Sequence, residues 1–287
     1  EKRTTEYYDS VVDLAREAVR TGEHGVGSFD AILVDEGQDL NDGMFQVLTG
    51  LLKPGGDMVI ALDDFQNLYR RKMSWKNLGI EAQGRVRFLK RVYRNTTEIR
   101  DFARRFIGEK PEEMEPSLFP QEMDFHGDPP QMVRLRDPEA VETFLVKDIR
   151  HLLAGKEYKR SEIGILYDDK NYGPDSFAYA ERDAPRRLLK KLESGGIPAR
   201  WVSRDVRAKE TFDITTDRVS LISIHSAKGL DFDLVYLMGV DRIQADDKTR
   251  DYLVHLLYVA ITRAKHRLVI PYVGETEFIS KMKVCLR

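Results

Sequence analysis

The sequence predicts an α/β fold built on parallel β-sheets. Its strand-like runs, such as 29–34 and 163–167, are apolar throughout instead of alternating, which is typical of strands covered on both faces. Segments with the apolar spacing of a helix lie between these runs, and glycine-rich turns follow several of them. Strands that alternate with helices in this way indicate parallel sheets, which bind ligands beyond the carboxyl ends of their strands.

The predicted elements form two blocks along the chain. The first block has a helix, a strand, a helix and a strand, at 5–20, 29–34, 44–52 and 58–62. A segment crowded with Pro, Glu, Met and Asp, at 108–130, is interpreted as a long surface connection. The second block has, in order, strand 132–135, helix 139–153, strand 163–167, helix 185–192, strands 219–224 and 234–240, helix 253–264 and strand 267–271.

Composition narrows the functional classes. The chain has 287 residues, 41% of them hydrophobic, which predicts one large or two medium domains. A net charge of -2 leaves any DNA contact to local patches. The single cysteine, Cys285, can form no internal disulfide, as in a reducing compartment. No apolar stretch is long enough for a bilayer and no signal peptide is present, so we expect a cytoplasmic protein without membrane contact, and Glu1 is interpreted as an internal start.

Two adjacent carboxylates end the first apolar run. Asp35 and Glu36 follow 31–34, where a parallel strand would present them at the carboxyl edge of a sheet. Carboxylate oxygens are ligands for Mg²⁺, and a second carboxylate can polarise water for phosphoryl transfer. The pair therefore predicts the magnesium end of an ATPase. The structural alternative is an ordinary solvated turn after a strand.

Two further segments carry polar groups suited to a nucleotide. Gln66 follows the second predicted strand and could hydrogen-bond both a γ-phosphate and the attacking water. Tyr93 and Arg94 place an aromatic ring beside a guanidinium, a pair that could stack on a base and stabilise phosphoryl charge. The structural alternatives are a polar turn at Gln66 and a chance pairing at Tyr93 and Arg94.

The carboxyl-terminal third holds the remaining candidates. In the small-residue turn 223–233, Gly229 would allow close approach of phosphate oxygens or of a nucleic-acid backbone. His225 in the same turn is interpreted as hydrogen-bonded rather than metal-bound, because no other His or Cys lies at ligand spacing. Arg263 is expected to project from the end of a helix as an arginine finger, or else to form a surface salt bridge.

Taken in order, these segments resemble the motifs of UvrD/Rep-type superfamily 1A DNA helicases over residues 29–268. The matching segments are 32–39 (motif II), 61–69 (motif III), 89–95 (motif IV), 219–233 (motif V) and 257–265 (motif VI). The resemblance implies RecA-like parallel sheets of the P-loop NTPase type, one incomplete and one complete. Residues 1–88 would be the carboxyl-terminal portion of the first, ATP-binding domain. Residues 89–287 would be the second domain, without a large helical insertion.

The resemblance also implies roles for the candidate residues. Asp35 would organise Mg²⁺, and Glu36 would act as catalytic base beside the metal. The residues expected to contact ATP lie in motifs III to VI. Gln66, Arg94 and Arg263 would contact the γ-phosphate, and Tyr93 would stack on adenine. Asp231 would contact the ribose, where the family usually has Glu, and Lys228 with Gly229 would lie near nucleotide or DNA. The residues expected to contact DNA are Arg70, Arg71, Trp75 and His225. Trp75 could equally belong to the core.

The function that the resemblance implies is Mg-ATP hydrolysis coupled to movement on single-stranded DNA in the 3′ to 5′ direction. The chain lacks the phosphate-binding loop that the family carries before this region, so we expect it to be inactive by itself. Expected partners are single-stranded or partly duplex DNA and repair or recombination proteins. Two alternatives stay open at this point: a catalytically silent helicase-like module that binds DNA or a partner protein, and a nucleotide-regulated subunit of a nuclease complex.

Overall fold

The computed structural model describes residues 2–22, 26–62, 75, 78–87, 94–108, 125–168 and 184–286. The chain divides into two compact units, Glu1–Phe88 and Leu89–Arg287, each described by itself below. No helix among the described residues has both the length and the apolar character that a membrane crossing requires.

The first unit is a short α/β layer. Its elements are α1 (Lys2–Thr21), β1 (Phe29–Val34), α2 (Asp42–Leu51) and β2 (Leu52–Ile60), with a 3-10 turn at Gly37–Asp39. The two strands are parallel, with Ile32 opposite Met58 and Val34 opposite Ile60. One face of this pair packs on α2, where Val34, Phe45 and Leu78 form the core. Asn41 caps α2 by accepting a hydrogen bond from the Met44 backbone N–H.

The opposite face of the first sheet is exposed. Leu33 of β1 and Val59 of β2 are paired across the strands and are 79% and 58% exposed. The sequence predicted strands covered on both faces, and the described residues of the first unit leave this face uncovered. The second strand also begins earlier than predicted, at Leu52. Its pairing with β1 shifts register between Leu52 and Asp57, where Gly55 has φ of +77°.

The second unit contains a six-stranded parallel sheet. Its elements are α3 (Thr97–Ile107), β3 (Gln131–Arg134), α4 (Pro138–Ala154), β4 (Ile163–Tyr167), α5 (Ala184–Ser194), β5 (Ala199–Trp201), α6 (Val206–Glu210), β6 (Val219–Ser223), β7 (Phe232–Met238), α7 (Arg250–Ile261), β8 (Ala264–Tyr272) and α8 (Glu277–Cys285). The strand order is β3-β8-β7-β4-β6-β5. Every residue of β4 and β6 is buried, as mostly apolar runs predict, and β6 also buries Ser220 and Ser223.

The predicted fold class, α/β with parallel sheets, is confirmed. Four elements were missing from the sequence prediction: α3, β5, α6 and α8. Helix α3 carries a clear amphipathic pattern, with Ile99, Phe102, Ala103 and Phe106 buried on one face and charged residues on the other, so the signal was in the sequence and was overlooked. Strand β5 has three residues, too few for a periodic signal.

Candidate functional site: two edges of a parallel sheet and a strand-end carboxylate pair

The carboxylate pair lies at the carboxyl end of β1, where the sequence predicted it. Glu36 adopts a left-handed conformation, with φ of 53°, that turns the chain sharply after the strand. Gly37 follows and donates its N–H to the Ala61 carbonyl at 2.9 Å. A Cβ at Gly37 would lie 2.7 Å from Ile60 Cγ2, so only glycine fits here. The turn that carries the two acids is thus tied to the end of the neighbouring strand.

The two carboxylates differ in their surroundings. Asp35 is exposed, and its Oδ1 accepts the Glu36 backbone N–H at 2.9 Å. Glu36 is half-buried, and its Oε2 accepts a hydrogen bond from Nε2 of the buried Gln38 at 2.5 Å. Gln38 therefore fixes the position of the Glu36 carboxylate, a role that the sequence prediction missed.

This end of the strand offers oxygen donors of the kind that Mg²⁺ takes. Among the described residues, no group of three or more His, Cys, Asp or Glu could hold a metal ion. A magnesium ion, however, commonly keeps several waters and binds a protein through one or two carboxylates together with substrate phosphates. Asp35, exposed and placed at the strand end, fits that limited role.

The second cluster is formed by one carboxylate and two arginines at the amino edge of the larger sheet. Asp231 directly precedes β7, and Arg263 directly precedes β8, its neighbour in the sheet. Asp231 Oδ2 lies 2.9 Å from Arg94 Nε, and Asp231 Oδ1 lies 3.7 Å from Arg263 Nη1. Three of the predicted nucleotide-site residues, distant in sequence, therefore meet at one point.

The two arginines are held differently. The Arg94 side chain is 40% exposed, whereas that of Arg263 is fully buried. Arg263 donates from Nε to the Val259 carbonyl at 3.1 Å and from Nη1 to the Leu230 carbonyl at 3.3 Å. The sequence had Arg263 projecting from a helix end. That placement is wrong, because its guanidinium turns inward to satisfy carbonyls at the end of α7 and before β7.

A buried amide next to Arg94 holds this edge together. Asn95 Nδ2 donates to the Thr262 and Ala264 carbonyls, on either side of Arg263, at 2.9 and 2.6 Å. The Thr96 backbone N–H donates to the Lys265 carbonyl at 2.9 Å. From the sequence, Asn95 had no predicted role beyond being the last residue of motif IV. Its position directly after the candidate Arg94 was the one sequence feature that could have indicated a role.

The crossover segment 224–231 connects the two edges of the sheet, from the carboxyl end of β6 to the amino end of β7. Lys228 is half-buried and Gly229 is exposed. Gly229 has φ of +80°, and a Cβ there would meet nothing within 4 Å. Its glycine is therefore explained by the backbone conformation. The close approach of a ligand backbone, which the sequence suggested, is an additional and separate possibility for this position.

The carboxyl edge of the same sheet carries a neutral network of hydroxyl groups and aromatic rings. Trp201 Nε1 donates to the Tyr167 hydroxyl at 2.6 Å, and that hydroxyl lies 2.8 Å from Ser203 Oγ. The Ser223 backbone N–H donates to Ser203 Oγ at 2.9 Å. Tyr167, Trp201 and Ser223 end β4, β5 and β6, so this network ties three strand ends together.

His225 lies two residues beyond that network. Its Nε2 forms a short hydrogen bond with the Tyr252 hydroxyl, and the two rings stack with centroids 6.2 Å apart. The prediction that His225 is hydrogen-bonded is thereby confirmed. Tyr252, in the first turn of α7, was not singled out from the sequence.

The other predicted site residues divide into two groups. Gln66, Arg70, Arg71 and Tyr93 lie outside the described residues. Trp75 is described and packs on the first unit's core, with its ring 5.6 Å from Phe45 in an edge-to-face arrangement. This packing favours the core alternative for Trp75.

Comparisons with known proteins agree with the sequence resemblance. Residues 204–275 match the model of the UvrD-like helicase C-terminal domain, a stretch that includes Asp231 and Arg263. The chain is 30% identical over 95 residues to the ATP-dependent DNA helicase Rep of Escherichia coli, which is 31% of this chain and 13% of Rep. It is 31% identical over 87 residues to the RecBCD enzyme subunit RecB of Chlamydia pneumoniae, which is 30% of this chain and 8% of RecB.

A longer match extends over most of the chain. The chain is 24% identical to a protein of Acanthamoeba polyphaga mimivirus that carries the provisional name of an ATP-dependent DNA helicase. The aligned stretch has 263 residues and covers 88% of this chain. The match covers 34% of that protein, so the chain spans about a third or less of each of these relatives.

One similar solved structure is the C-terminal domain of a possible DNA helicase from Lactobacillus plantarum. The similarity covers 68% of this chain and 96% of that solved chain, with 20% sequence identity and a TM-score of 0.45. The match at 204–275 agrees with the sequence resemblance over that stretch, which is similar to the UvrD-like helicase C-terminal domain.

Proposed function

We propose that this chain is the part of an ATP-dependent DNA helicase or translocase that contributes the arginine contacts to ATP and one of the DNA contacts. The observation that carries the proposal is the meeting of Arg94, Asp231 and Arg263 at the amino edge of the sheet. Two guanidinium groups beside a single carboxylate leave an excess of positive charge. Such a pair suits the oxygens of a phosphate chain, where charge develops during phosphoryl transfer.

Within the first unit, the strand-end carboxylates would serve the metal ion and the attacking water of ATP hydrolysis. Bound Mg²⁺ would neutralise charge on the phosphates. Asp35, exposed at the strand end, would hold the ion's shell, and Glu36 would accept the proton of the attacking water. The hydrogen bond from Gln38 keeps the Glu36 carboxylate in one orientation before substrate arrives, which supports a catalytic role for it.

The carboxyl edge would supply a contact to single-stranded DNA. His225 and Tyr252 form a stacked, partly exposed pair, and Lys228 follows His225 by three residues; aromatic rings and cations together are a usual platform for nucleotide bases and backbone. The proposed direction of movement, 3′ to 5′, rests on the family resemblance alone. Partner proteins in repair or recombination would be contacted by other parts of the complete protein.

The test is ATP hydrolysis stimulated by single-stranded DNA, measured on a polypeptide that joins this chain to an upstream phosphate-binding loop of the family. Glu36→Gln and Arg263→Ala should each lower kcat by at least about 10²-fold, because they remove a proton acceptor and a phosphate-side charge. Asp57→Asn, which removes an exposed carboxylate of β2, is the control and should leave the rate unchanged.

The silent-module alternative has one observation in its favour. Arg263 is fully buried and bonded to carbonyls of its own unit, as a structural arginine would be. If single-stranded DNA binds while hydrolysis is absent, the motor proposal is refuted and the silent-module alternative replaces it. Hydrolysis that survives Arg263→Ala in a folded variant would instead refute the role proposed for Arg263. Hydrolysis that is lost in Glu36→Gln and Arg263→Ala, but kept in Asp57→Asn, supports the motor.

A further inference from the structure

The anion that faces the two arginines in this structure belongs to the chain itself. Asp231 Oδ2 bonds Arg94, but its Oδ1 is buried and has no hydrogen-bond partner within the described part of the chain. Arg263 Nη1, at 3.7 Å, is too far for a hydrogen bond to that oxygen. One carboxylate therefore faces two guanidinium groups and satisfies only one of them.

Only one of the two arginines is free to change partner. Arg263 is fully buried, and its Nε and Nη1 already donate to backbone carbonyls. The Arg94 side chain is 40% exposed and forms an ion pair with Asp231. An incoming anion would therefore be met by Arg94, which would turn away from Asp231, while Arg263 would stay in place.

We propose that Asp231 is an internal anion that a polyphosphate chain must displace from Arg94, and that it thereby sets the site's preference for polyphosphates over singly charged anions. This inference rests on the proposed nucleotide role of the two arginines. A carboxylate tethered at 2.9 Å competes at high effective concentration, so an anion of equal charge gains little by replacing it. A polyphosphate brings several charges and many oxygens, and it can outcompete the tethered carboxylate.

The proposal differs from the role that the family resemblance implies for Asp231. A contact to the ribose would help ATP to bind and would not affect a ligand without a ribose. An internal anion opposes any phosphate ligand. Tripolyphosphate, which has the phosphate chain of ATP and no nucleoside, separates the two roles because they predict different effects of removing the carboxylate.

The experiment is calorimetric titration of this chain with tripolyphosphate and, separately, with ATP, both without Mg²⁺. The variants are Asp231→Asn, Asp231→Glu and Arg94→Ala. The matched control is Asp233→Asn, which removes an equal charge two residues away, where the carboxylate pairs with Lys265 at 3.3 Å. Thermal unfolding checks that each variant is folded, and Asp231→Glu keeps the internal charge if Asp231→Asn should fail to fold.

Asp231→Asn should bind tripolyphosphate about five- to tenfold more tightly than the natural chain, since one competing charge near the surface is removed. The gain should disappear when Arg94→Ala is added. Asp231→Glu and Asp233→Asn should stay within about twofold of the natural chain. Raising chloride should weaken binding to Asp231→Asn more than binding to the natural chain, because chloride then competes for an unoccupied Arg94.

Three outcomes would overturn the inference: unchanged or weaker tripolyphosphate binding by Asp231→Asn, an equal gain in Asp233→Asn, or no measurable binding by any variant. Weaker ATP binding with unchanged tripolyphosphate binding would assign Asp231 to the ribose alone. The proposed function fails separately, and visibly, if Arg94→Ala changes the binding of neither ligand to the natural chain. If Arg94→Ala weakens binding but Asp231→Asn does not strengthen it, only the internal anion is refuted.

Discussion

The two edges of the larger sheet are built from different chemistry. The amino edge holds charged groups, with Asp231 facing Arg94 and Arg263. At the carboxyl edge a hydrogen-bond network of neutral groups, with the Tyr167 hydroxyl between Trp201 and Ser203, lies beside the buried Asp168 that follows β4. Charge at one edge suits phosphate, and aromatic rings at the other suit bases. The difference indicates that a single sheet can present two ligand classes on opposite sides.

The contrast also corrects a general expectation. Parallel sheets bind ligands beyond the carboxyl ends of their strands, and the sequence prediction placed Asp35, Glu36 and Gln66 there. Asp35 and Glu36 obey this rule, and His225 follows it as well. Asp231 and Arg263 do not, since both directly precede a strand. Four experiments test this difference between the two edges.

The largest effect is expected at the amide that secures the amino edge. Asn95→Asp replaces a buried donor by an acceptor that faces two carbonyl oxygens, those of Thr262 and Ala264. We expect the free energy of unfolding to fall by about 3 kcal/mol or more, because buried polar groups are left unsatisfied or repelled. Urea unfolding measures it.

The control for this change is the same substitution at Asn41, the N-cap of α2, where Asp serves as well as Asn. Asn41→Asp should alter the stability by less than about 0.5 kcal/mol. Equal stability of both variants would show that Asn95 does not secure the amino edge.

The next experiment compares the two arginines directly. Arg263→Lys should cost about 2 kcal/mol, since one ammonium group cannot reproduce the separate hydrogen bonds that the buried guanidinium makes to Val259 and Leu230. Arg94→Lys should cost no more than about 0.5 kcal/mol, because its side chain is partly exposed and its ion pair is screened. Chemical unfolding of both variants gives the two values. The reverse order would contradict the distinction between a fixed and a movable arginine.

A smaller effect is expected at the carboxyl edge. Tyr167→Phe removes the hydroxyl that accepts the Trp201 indole N–H and contacts Ser203, at a cost of about 1 to 2 kcal/mol. Trp201 fluorescence should change in the folded state because its indole loses a partner. Tyr7→Phe, on the exposed side of α1, is the control and should change neither property. Unchanged fluorescence in Tyr167→Phe would mean that the network does not hold the ring.

The smallest effect is a pH dependence beside the amino edge. Burial raises the pKa of Glu98, but hydrogen bonds from His126 and from the Gly127 N–H outweigh it and hold the pKa below its ordinary value of 4.5. A lowered pKa in the folded state stabilises the protein above pH 4.5, and this contribution is lost as the pH falls through the folded value.

We therefore expect Glu98→Gln to be less stable than the natural chain near neutral pH, with a difference that shrinks as the solution is acidified below pH 4.5. Thermal midpoints across pH 3 to 7 measure this difference. Glu81→Gln, at an exposed ion pair with Arg85, provides the comparison. A gap that widens toward acid pH would reverse the sign of the argument.

The sequence predicted the sheet of the second unit well, for a physical reason. Strands β4 and β6 lie between other strands and are fully buried, so most of their positions are apolar, and the buried Ser220 and Ser223 of β6 are small. The same pattern was less informative for β1. It contains Asp30 among its apolar residues, and Leu33 and its partner Val59 are exposed in the unit that the structure describes. Apolar composition alone does not report what covers a strand.

At the amino edge of the larger sheet, the sequence predicted which residues form the candidate site but not which atoms they contact. Motif order located Asp231 and Arg263, but their approach depends on the neighbouring positions of β7 and β8, which only the fold supplies. The inward turn of Arg263 follows from nearby carbonyls that need donors, and no sequence pattern records such a need. Asn95 was missed for the same reason, because its partners are backbone atoms.

The hydrogen bonds of Asn95 also have a consequence for how the protein folds. They join positions 167 and 169 residues apart in the chain, so they are among the contacts of greatest sequence separation. Contacts of this kind require a large loop to close before they form, and they slow the final search for the native state. The arginine site should therefore be one of the last parts of the second unit to assemble during refolding, after β4, β6 and β7 have paired.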